Sequence, residues 1–199
     1  MPINFKDSKT KENLMRAFAG ESQARNRYTF AAEEAAAQKL YVVEAVFKFT
    51  AEQELAHAKV FYDRLHELTG ENICVDGCYP VDITNSVVEL LEKAEHNELE
   101  EYEDAYKNFA DTAEEEGFLP ISNLFRQIGE IEKTHAERFG SLAKLLREDK
   151  LFVADAKVEW MCLNCGNIIN AEKAPPVCPV CSHERGFFVR LSFAPYTSR

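Results

Sequence analysis

The chain lacks several things, and each absence narrows what it can be. In 199 residues no apolar run approaches the ~20 residues that a bilayer-spanning helix needs. The start, Met1 to Thr10, is polar and carries no apolar h-region, so no secretory signal is expected. Basic residues are in deficit, 23 Lys and Arg against 34 Asp and Glu, for a net charge of -11 and a pI near 5.0. Nucleic-acid and anionic-membrane surfaces need clustered Lys and Arg, so neither partner is expected. Proline is scarce between residues 9 and about 147. The chain is 46% apolar and 29% charged, which is incompatible with wholesale disorder. Six cysteines without a signal point to a reducing, cytoplasmic setting and to metal ligation before disulfides.

The texture changes along the chain. Residues 9 to about 147 are rich in Ala, Glu, Leu, Lys and Arg. From about 158 come four closely patterned cysteines, the single Trp160, four of the seven prolines and a β-like run, Gly186 to Leu191. A boundary is expected in the charged stretch Glu148 to Lys157, dividing a helical part, 1–150, from a small C-terminal module, 151–199.

Four long helices fit the first part. The first is expected over Lys9–Gln38, with Leu14, Phe18, Glu21, Arg25 and Tyr28 on one stripe. The second spans Val42–Leu68, with Val46, Phe47, Thr50, Glu54, His57, Phe61 and Leu65 inward. The third spans Ser86–Glu116, with Leu91, Glu98, Glu101, Ala105, Phe109 and Ala113 inward, and Gly117 as its stop. The fourth spans Pro120–Arg147, with Phe125, Ile128, Glu132, His135, Phe139 and Leu142 inward. A long link, Gly70 to Thr84, separates the second and third, whereas the link between the first and second is short. That pattern suits a mainly α, ferritin-like four-helix bundle with one long crossover.

An internal echo supports the bundle. Adding 78 to positions of the second helix lands on like residues of the fourth: Phe47 on Phe125, Glu54 on Glu132, His57 on His135, Phe61 on Phe139. Each helix therefore carries Glu-x-x-His between two Phe, which predicts a pseudo-twofold arrangement.

Positions i and i+3 of a helix share a face, so each Glu-x-x-His turns a carboxylate and an imidazole into the core. Glu21 joins them from the first helix. From the third, periodicity permits Glu95 with Glu98 or Glu98 with Glu101. Ionised carboxylates in one core each cost several kcal/mol to desolvate unpaired. Arg25 neutralises one at most. Two metal ions answer the problem: five carboxylates and two divalent ions leave a residual charge of -1. Oxygen ligands mixed with imidazole suit iron or manganese.

In the C-terminal part, Cys162-Leu-Asn-Cys165-Gly166 and Cys178-Pro-Val-Cys181 form two C-x-x-C turns. Four thiolates at tetrahedral angles take iron or zinc. A purely structural zinc ribbon is the alternative use of the same pattern.

Taken together, these motifs resemble the rubrerythrins. Ala17-Phe-Ala-Gly-Glu-Ser-Gln-Ala-Arg-Asn-Arg-Tyr28, Glu54-x-x-His57, the run Glu98 to Phe118, and Glu132-x-x-His135 follow in family order, and the C-terminal module resembles rubredoxin. The resemblance implies two Fe ions in a carboxylate-bridged site and one Fe on Cys162, Cys165, Cys178 and Cys181, with zinc substitution open. It selects Glu98 and Glu101 on the third helix and leaves Glu95 outside. It implies that Glu54 and Glu132 bridge the metals, that Glu21 serves the first and that Glu98 with His135 serves the second. Glu101 and His57 exchange on the first metal with its oxidation state, and Tyr28 and Tyr106 hydrogen-bond around the site. The implied activity is a peroxidase that reduces hydrogen peroxide to water in oxidative-stress defence. Its electrons come from rubredoxin or an NAD(P)H-dependent reductase, in a homodimer with inter-subunit transfer. A ferroxidase or oxygen reductase at the same site is the alternative. Cys74 and Cys78, in the long link, depart from the family pattern and are expected to be reduced loop cysteines.

Overall fold

The computed structural model describes residues 3–194. Five α-helices form the larger part: α1 Lys9–Ala37, α2 Tyr41–Asp63, α3 Val87–Glu100, α4 Tyr106–Glu115 and α5 Leu119–Arg147. A π turn over Glu101–Ala105 joins α3 to α4, so the two form one long rod. Helix α1 packs on α2, and the α3–α4 rod packs on α5. Residues 69–86 cross between these hairpins without helix or strand. The mainly α, ferritin-like bundle with one long crossover is therefore present.

Local chemistry sets the ends. Ser8 caps α1 by accepting from the Lys11 N–H, and the Glu116 carboxylate accepts from the Lys9 and Thr10 N–H groups at 2.9 and 2.8 Å. Ser86 caps α3. Gly117, at φ +89°, takes the left-handed conformation that closes α4. The second helix ends earlier than its stripe suggested, at Asp63, with a separate 3₁₀ turn over His66–Leu68.

The third rod departs more instructively. A continuous α period places Ala105 and Phe109 inward after Glu101, yet both are only half-buried, and Tyr106 and Ala110 are buried instead. The π turn inserts one residue and moves the apolar stripe by one position over the next two turns, whereas Ala113 is buried as expected. It thereby brings Tyr106 under the centre of the bundle.

Two apolar layers sandwich a polar one. One layer contains Tyr28, Phe47, Leu91 and Phe139; the other contains Leu14, Phe61, Tyr106 and Phe125. Phe47 meets Phe139 at 5.1 Å between ring centroids, and Phe61 meets Phe125 at 5.2 Å. Each Phe thus contacts the echo of the other, which is the reciprocal contact that a twofold axis between α2 and α5 requires. The His57 and His135 rings stack at 5.7 Å between these layers.

The C-terminal part is a three-stranded antiparallel sheet in the order β2-β1-β3, with β1 Val153–Cys162, β2 Ile168–Lys173 and β3 Phe188–Arg190. The charged stretch expected as a linker is therefore partly strand. Of the β-like run from Gly186, only Phe188–Arg190 pairs, flanked by 3₁₀ turns. Trp160 and Phe188 are fully buried, and the Trp160 indole N–H donates to the Ala171 carbonyl at 2.9 Å. This sheet rests on the bundle. Phe187 stacks on Tyr41 with centroids 4.1 Å apart, Lys39 pairs with Glu184 at 2.9 Å, and Val189 joins the bundle core. Any Cβ at Gly186 would collide with the Lys39 carbonyl, so the close approach needs glycine there. No helix among the described residues is long and apolar enough to cross a membrane.

Candidate metal centres

The polar layer gathers Glu21 from α1, Glu54 and His57 from α2, Glu98 from α3, and Glu132 and His135 from α5, all of them buried. They form two overlapping four-residue sets, Glu21, Glu54, His57, Glu132 and Glu54, Glu98, Glu132, His135. In each set the candidate ligand atoms all lie within 4.8 Å of one another. Glu54 and Glu132 belong to both. Glu54 puts Oε2 3.1 Å from His57 Nδ1 and Oε1 3.0 Å from His135 Nδ1. Glu132 does the same with opposite oxygens, Oε1 at 3.0 Å from His57 and Oε2 at 2.8 Å from His135. Glu21 and Glu98 stand at the outer ends, 3.7 Å from His57 and 3.6 Å from His135.

Of these close contacts, the one between His57 Nδ1 and Glu54 Oε2 is aligned as a hydrogen bond. Glu21 Oε2, Glu54 Oε1, Glu98 Oε2, both Glu132 oxygens and both His135 ring nitrogens are buried with no hydrogen-bond partner among the described residues. Unpaired lone pairs converging in a dry core are costly, and a cation at each convergence point satisfies them. The donor set therefore fits a pair of metal ions. Protons are the only other remedy. Burial pushes Glu21 up to about 8. Burial opposes charge on His57, but Glu21 and Glu54 outweigh it and hold the ring at about 10. His135, also buried, is held at about 11 by Glu132, Glu54 and Glu98.

The tyrosines close the outer ends. Tyr28 donates its O–H to Glu98, and Tyr106 donates its own to Glu21. Glu101 enters neither ligand set. It is half-buried and lines, with Tyr106, Asn97 and Tyr79, a cavity of about 450 Å³ beneath the crossover. Glu95 lies outside the cluster against Gly140, where a Cβ would meet its carboxylate. Arg25 forms no ion pair among the described residues, and its buried Nε has no hydrogen-bond partner there. Sequence periodicity missed Arg138, half-buried on α5 one turn beyond His135; its only signal is a cation three residues after a core histidine.

In the C-terminal module Cys162, Cys165, Cys178 and Cys181 converge. Cys162 and Cys181 Sγ lie 3.7 Å apart, as do Cys165 and Cys178 Sγ. A tetrahedron with metal–sulfur bonds of about 2.3 Å has edges of about 3.7 Å, so the spacing fits iron or zinc. Backbone N–H groups of Asn164 and Cys165 face Cys162, those of Val180 and Cys181 face Cys178, and those of Asn167 and His183 face Cys165 and Cys181. The His183 N–H is the first cause of a lowered Cys181 thiol pKa, while Cys165, which faces the other three sulfurs, is raised, so the thiols share their protons unevenly. Gly166 at φ +73° and Ser182 at φ +60° occupy the same place after each C-x-x-C. Cys74 and Cys78 are free and exposed in the crossover.

The arrangement has relatives. Residues 12–143 match the family model described as Rubrerythrin, and residues 160–189 match Rubrerythrin, rubredoxin-like domain. A curated rubrerythrin of Porphyromonas gingivalis is 42% identical over 188 residues, covering 94% of this chain and 92% of that protein. The structure of fully reduced, all-ferrous nigerythrin superposes with a TM-score of 0.62 at 28% identity, over 92% of this chain and 90% of that one. A bacterioferritin from Desulfovibrio desulfuricans, whose structure is described by its diiron site, matches at TM-score 0.63 and 25% identity, over 71% of this chain and 82% of that one.

Proposed function

The chain belongs to the rubrerythrin family of oxidoreductases, with a di-iron site and a rubredoxin-like four-cysteine site, and we propose that it reduces hydrogen peroxide to water with electrons entering through the four-cysteine iron. The observation that carries this reading is the sharing of Glu54 and Glu132 between two ligand sets, in a chain that also holds four convergent cysteines. When bound, the iron pair would supply two electrons and Lewis acidity. The rest is the work of the chain. Glu54 and Glu132 would bridge, Glu21 with His57 would hold one ion, and Glu98 with His135 the other. His57 rather than Glu101 belongs to the first set, and Glu101, which lines the cavity, would alternate with it. Reduction of peroxide consumes two protons as well as two electrons. Tyr106, between the cavity and Glu21, and Tyr28, on Glu98, are placed to hold and pass them. Phe47, Phe61, Phe125 and Phe139 keep bulk water out of the layer between them.

Residues 1–150 would carry this chemistry and residues 151–199 the electron entry. The physiological donor would be rubredoxin or an NAD(P)H-dependent reductase, and the working unit a cytoplasmic homodimer with transfer between subunits. Replacing Cys165 with Ser tests the division of labour. Turnover with a donor should fall to background, while chemically reduced protein still reacts with peroxide in stopped flow. Normal donor-driven turnover in that variant would refute electron entry at the cysteines. Faster oxidation of the diferrous protein by O₂ than by peroxide would instead favour the ferroxidase or oxygen-reductase reading.

A further inference from the structure

Four carboxylates, Glu21, Glu54, Glu98 and Glu132, converge in the core, and until two divalent ions balance them they concentrate negative charge there. Arg138 is a cation on which Glu54, Glu98 and Glu132 of that cluster act. Its guanidinium is half-buried and forms no ion pair among the described residues. It donates only to neutral groups, Thr50 Oγ1 at 2.9 Å and Gln53 Oε1 at 3.0 Å, and it lies over the Phe49 ring at 5.1 Å. Thr50 is buried one turn before Glu54 on α2, and Arg138 itself follows His135 by three residues on α5. The hydrogen bonds thus clamp the charge across the two helices that carry the bridging carboxylates.

A half-buried cation without a counter-charge is costly. Burial lowers the Arg138 pKa, and Glu54, Glu98 and Glu132 are the charges that oppose the loss. Of the two arginines that follow Glu21 on α1, Arg27 is engaged by Asp82 at 2.8 Å, and Arg25 has a buried Nε with no hydrogen-bond partner among the described residues. The pseudo-twofold echo of Arg138 is Val60, so the bundle carries this cation on one side only.

We propose that Arg138 is a fixed counter-charge of the carboxylate cluster, a positioning residue that touches no metal and offsets part of the negative charge the cluster carries before metal is bound. It restrains the affinity of the carboxylate cluster for cations and favours the ferrous over the ferric pair. The proposal rests on the assignment of the cluster as the di-iron site, and not on peroxide as oxidant.

The sign of the effect separates charge from scaffolding. Removing Arg138 as a mere strut would loosen the cluster and weaken metal binding. Removing it as a counter-charge makes the cluster more negative and tightens binding. The probe is Co(II), titrated into the full-length metal-free protein. The four-cysteine site serves as an internal reference, because cobalt thiolate absorption is distinct from that of cobalt on oxygen and nitrogen. Arg138→Gln, which keeps a donor for Thr50, should bind Co(II) at the carboxylate sites about tenfold more tightly, the scale of one lost unit charge acting through the effective dielectric of a protein. Arg138→Lys and Thr50→Val should stay within about twofold of the parent, and the cysteine site should not change in any of them. Arg138→Met provides a second neutral replacement if the Gln variant folds poorly. Unchanged or weaker binding in folded neutral variants overturns the proposal. Absence of any Co(II) at the carboxylate cluster of the parent would instead overturn the site assignment beneath it.

Discussion

The bundle and the cysteine module hold metal for opposite physical reasons. The bundle has two apolar layers of its own, built on residues such as Phe47, Phe139, Phe61 and Phe125, and these persist whatever lies between them. Its charged layer is a cost that the fold tolerates and metal relieves. The module has a small core centred on Trp160, Ala174 and Phe188, and two of its buried residues, Cys162 and Cys178, are themselves ligands. There the metal is part of the fold. The same element can thus be a guest in one half of a chain and a structural member in the other.

Three experiments press on that contrast. The largest effect is expected from Cys178→Ser, which removes a ligand from the module. Because closed thiolate sites contribute on the order of 10 kcal/mol to folding, amides of β1, β2 and β3 should lose hydrogen-exchange protection. Helical circular dichroism should persist. Protected strands in that variant would show that the module needs no metal.

A smaller effect of the opposite sign is expected in the bundle. Glu54→Leu with Glu132→Leu removes both bridging candidates and should abolish metal binding there. The metal-free double variant should nevertheless melt at or above the metal-free parent, gaining about 1–4 kcal/mol from an apolar layer in place of a charged one. A large fall in melting temperature would mean that the charged layer itself holds the helices together.

The smallest effect concerns the end of the bundle, far from either metal. Burial opposes charge on Glu116, but its hydrogen bonds to Thr10 and to the Lys9 and Thr10 backbone hold the carboxyl below the ordinary carboxylate range. A depressed folded value stabilises the protein above the unfolded value, near 4.3, and that stabilisation is lost as pH falls through the folded one. Glu116→Gln should cost about 1 kcal/mol at neutral pH, the size of a helix cap, and the gap from the parent should close in acid. A constant difference across the pH range would assign the effect to shape rather than charge.

Much of the site was legible in the residues. Each Glu-x-x-His stood on a stripe otherwise made mostly of apolar residues, and its echo 78 residues away announced the axis that the stacked His57 and His135 rings now mark. The third rod was less legible. Its acidic residues recur every three positions, so periodicity left two pairs open, and nothing in the spacing signalled a π turn at Glu101. The strand from Val153 was hidden because the charges around it read as linker. Arg138 was hidden because a lone cation beside a core histidine reads as a solvated face.

What the sequence determined alone was the choice and local spacing of ligands. A helix places i and i+3 on one side by covalent geometry, and two C-x-x-C turns can close on one ion wherever the rest of the chain goes. What only the tertiary structure decided was convergence: that Glu54 and Glu132 each face both histidines, that Tyr106 rather than Ala105 turns inward, and that Arg138 reaches across to Thr50. Those outcomes depend on how helices distant in sequence are set against one another, and no local period carries that information.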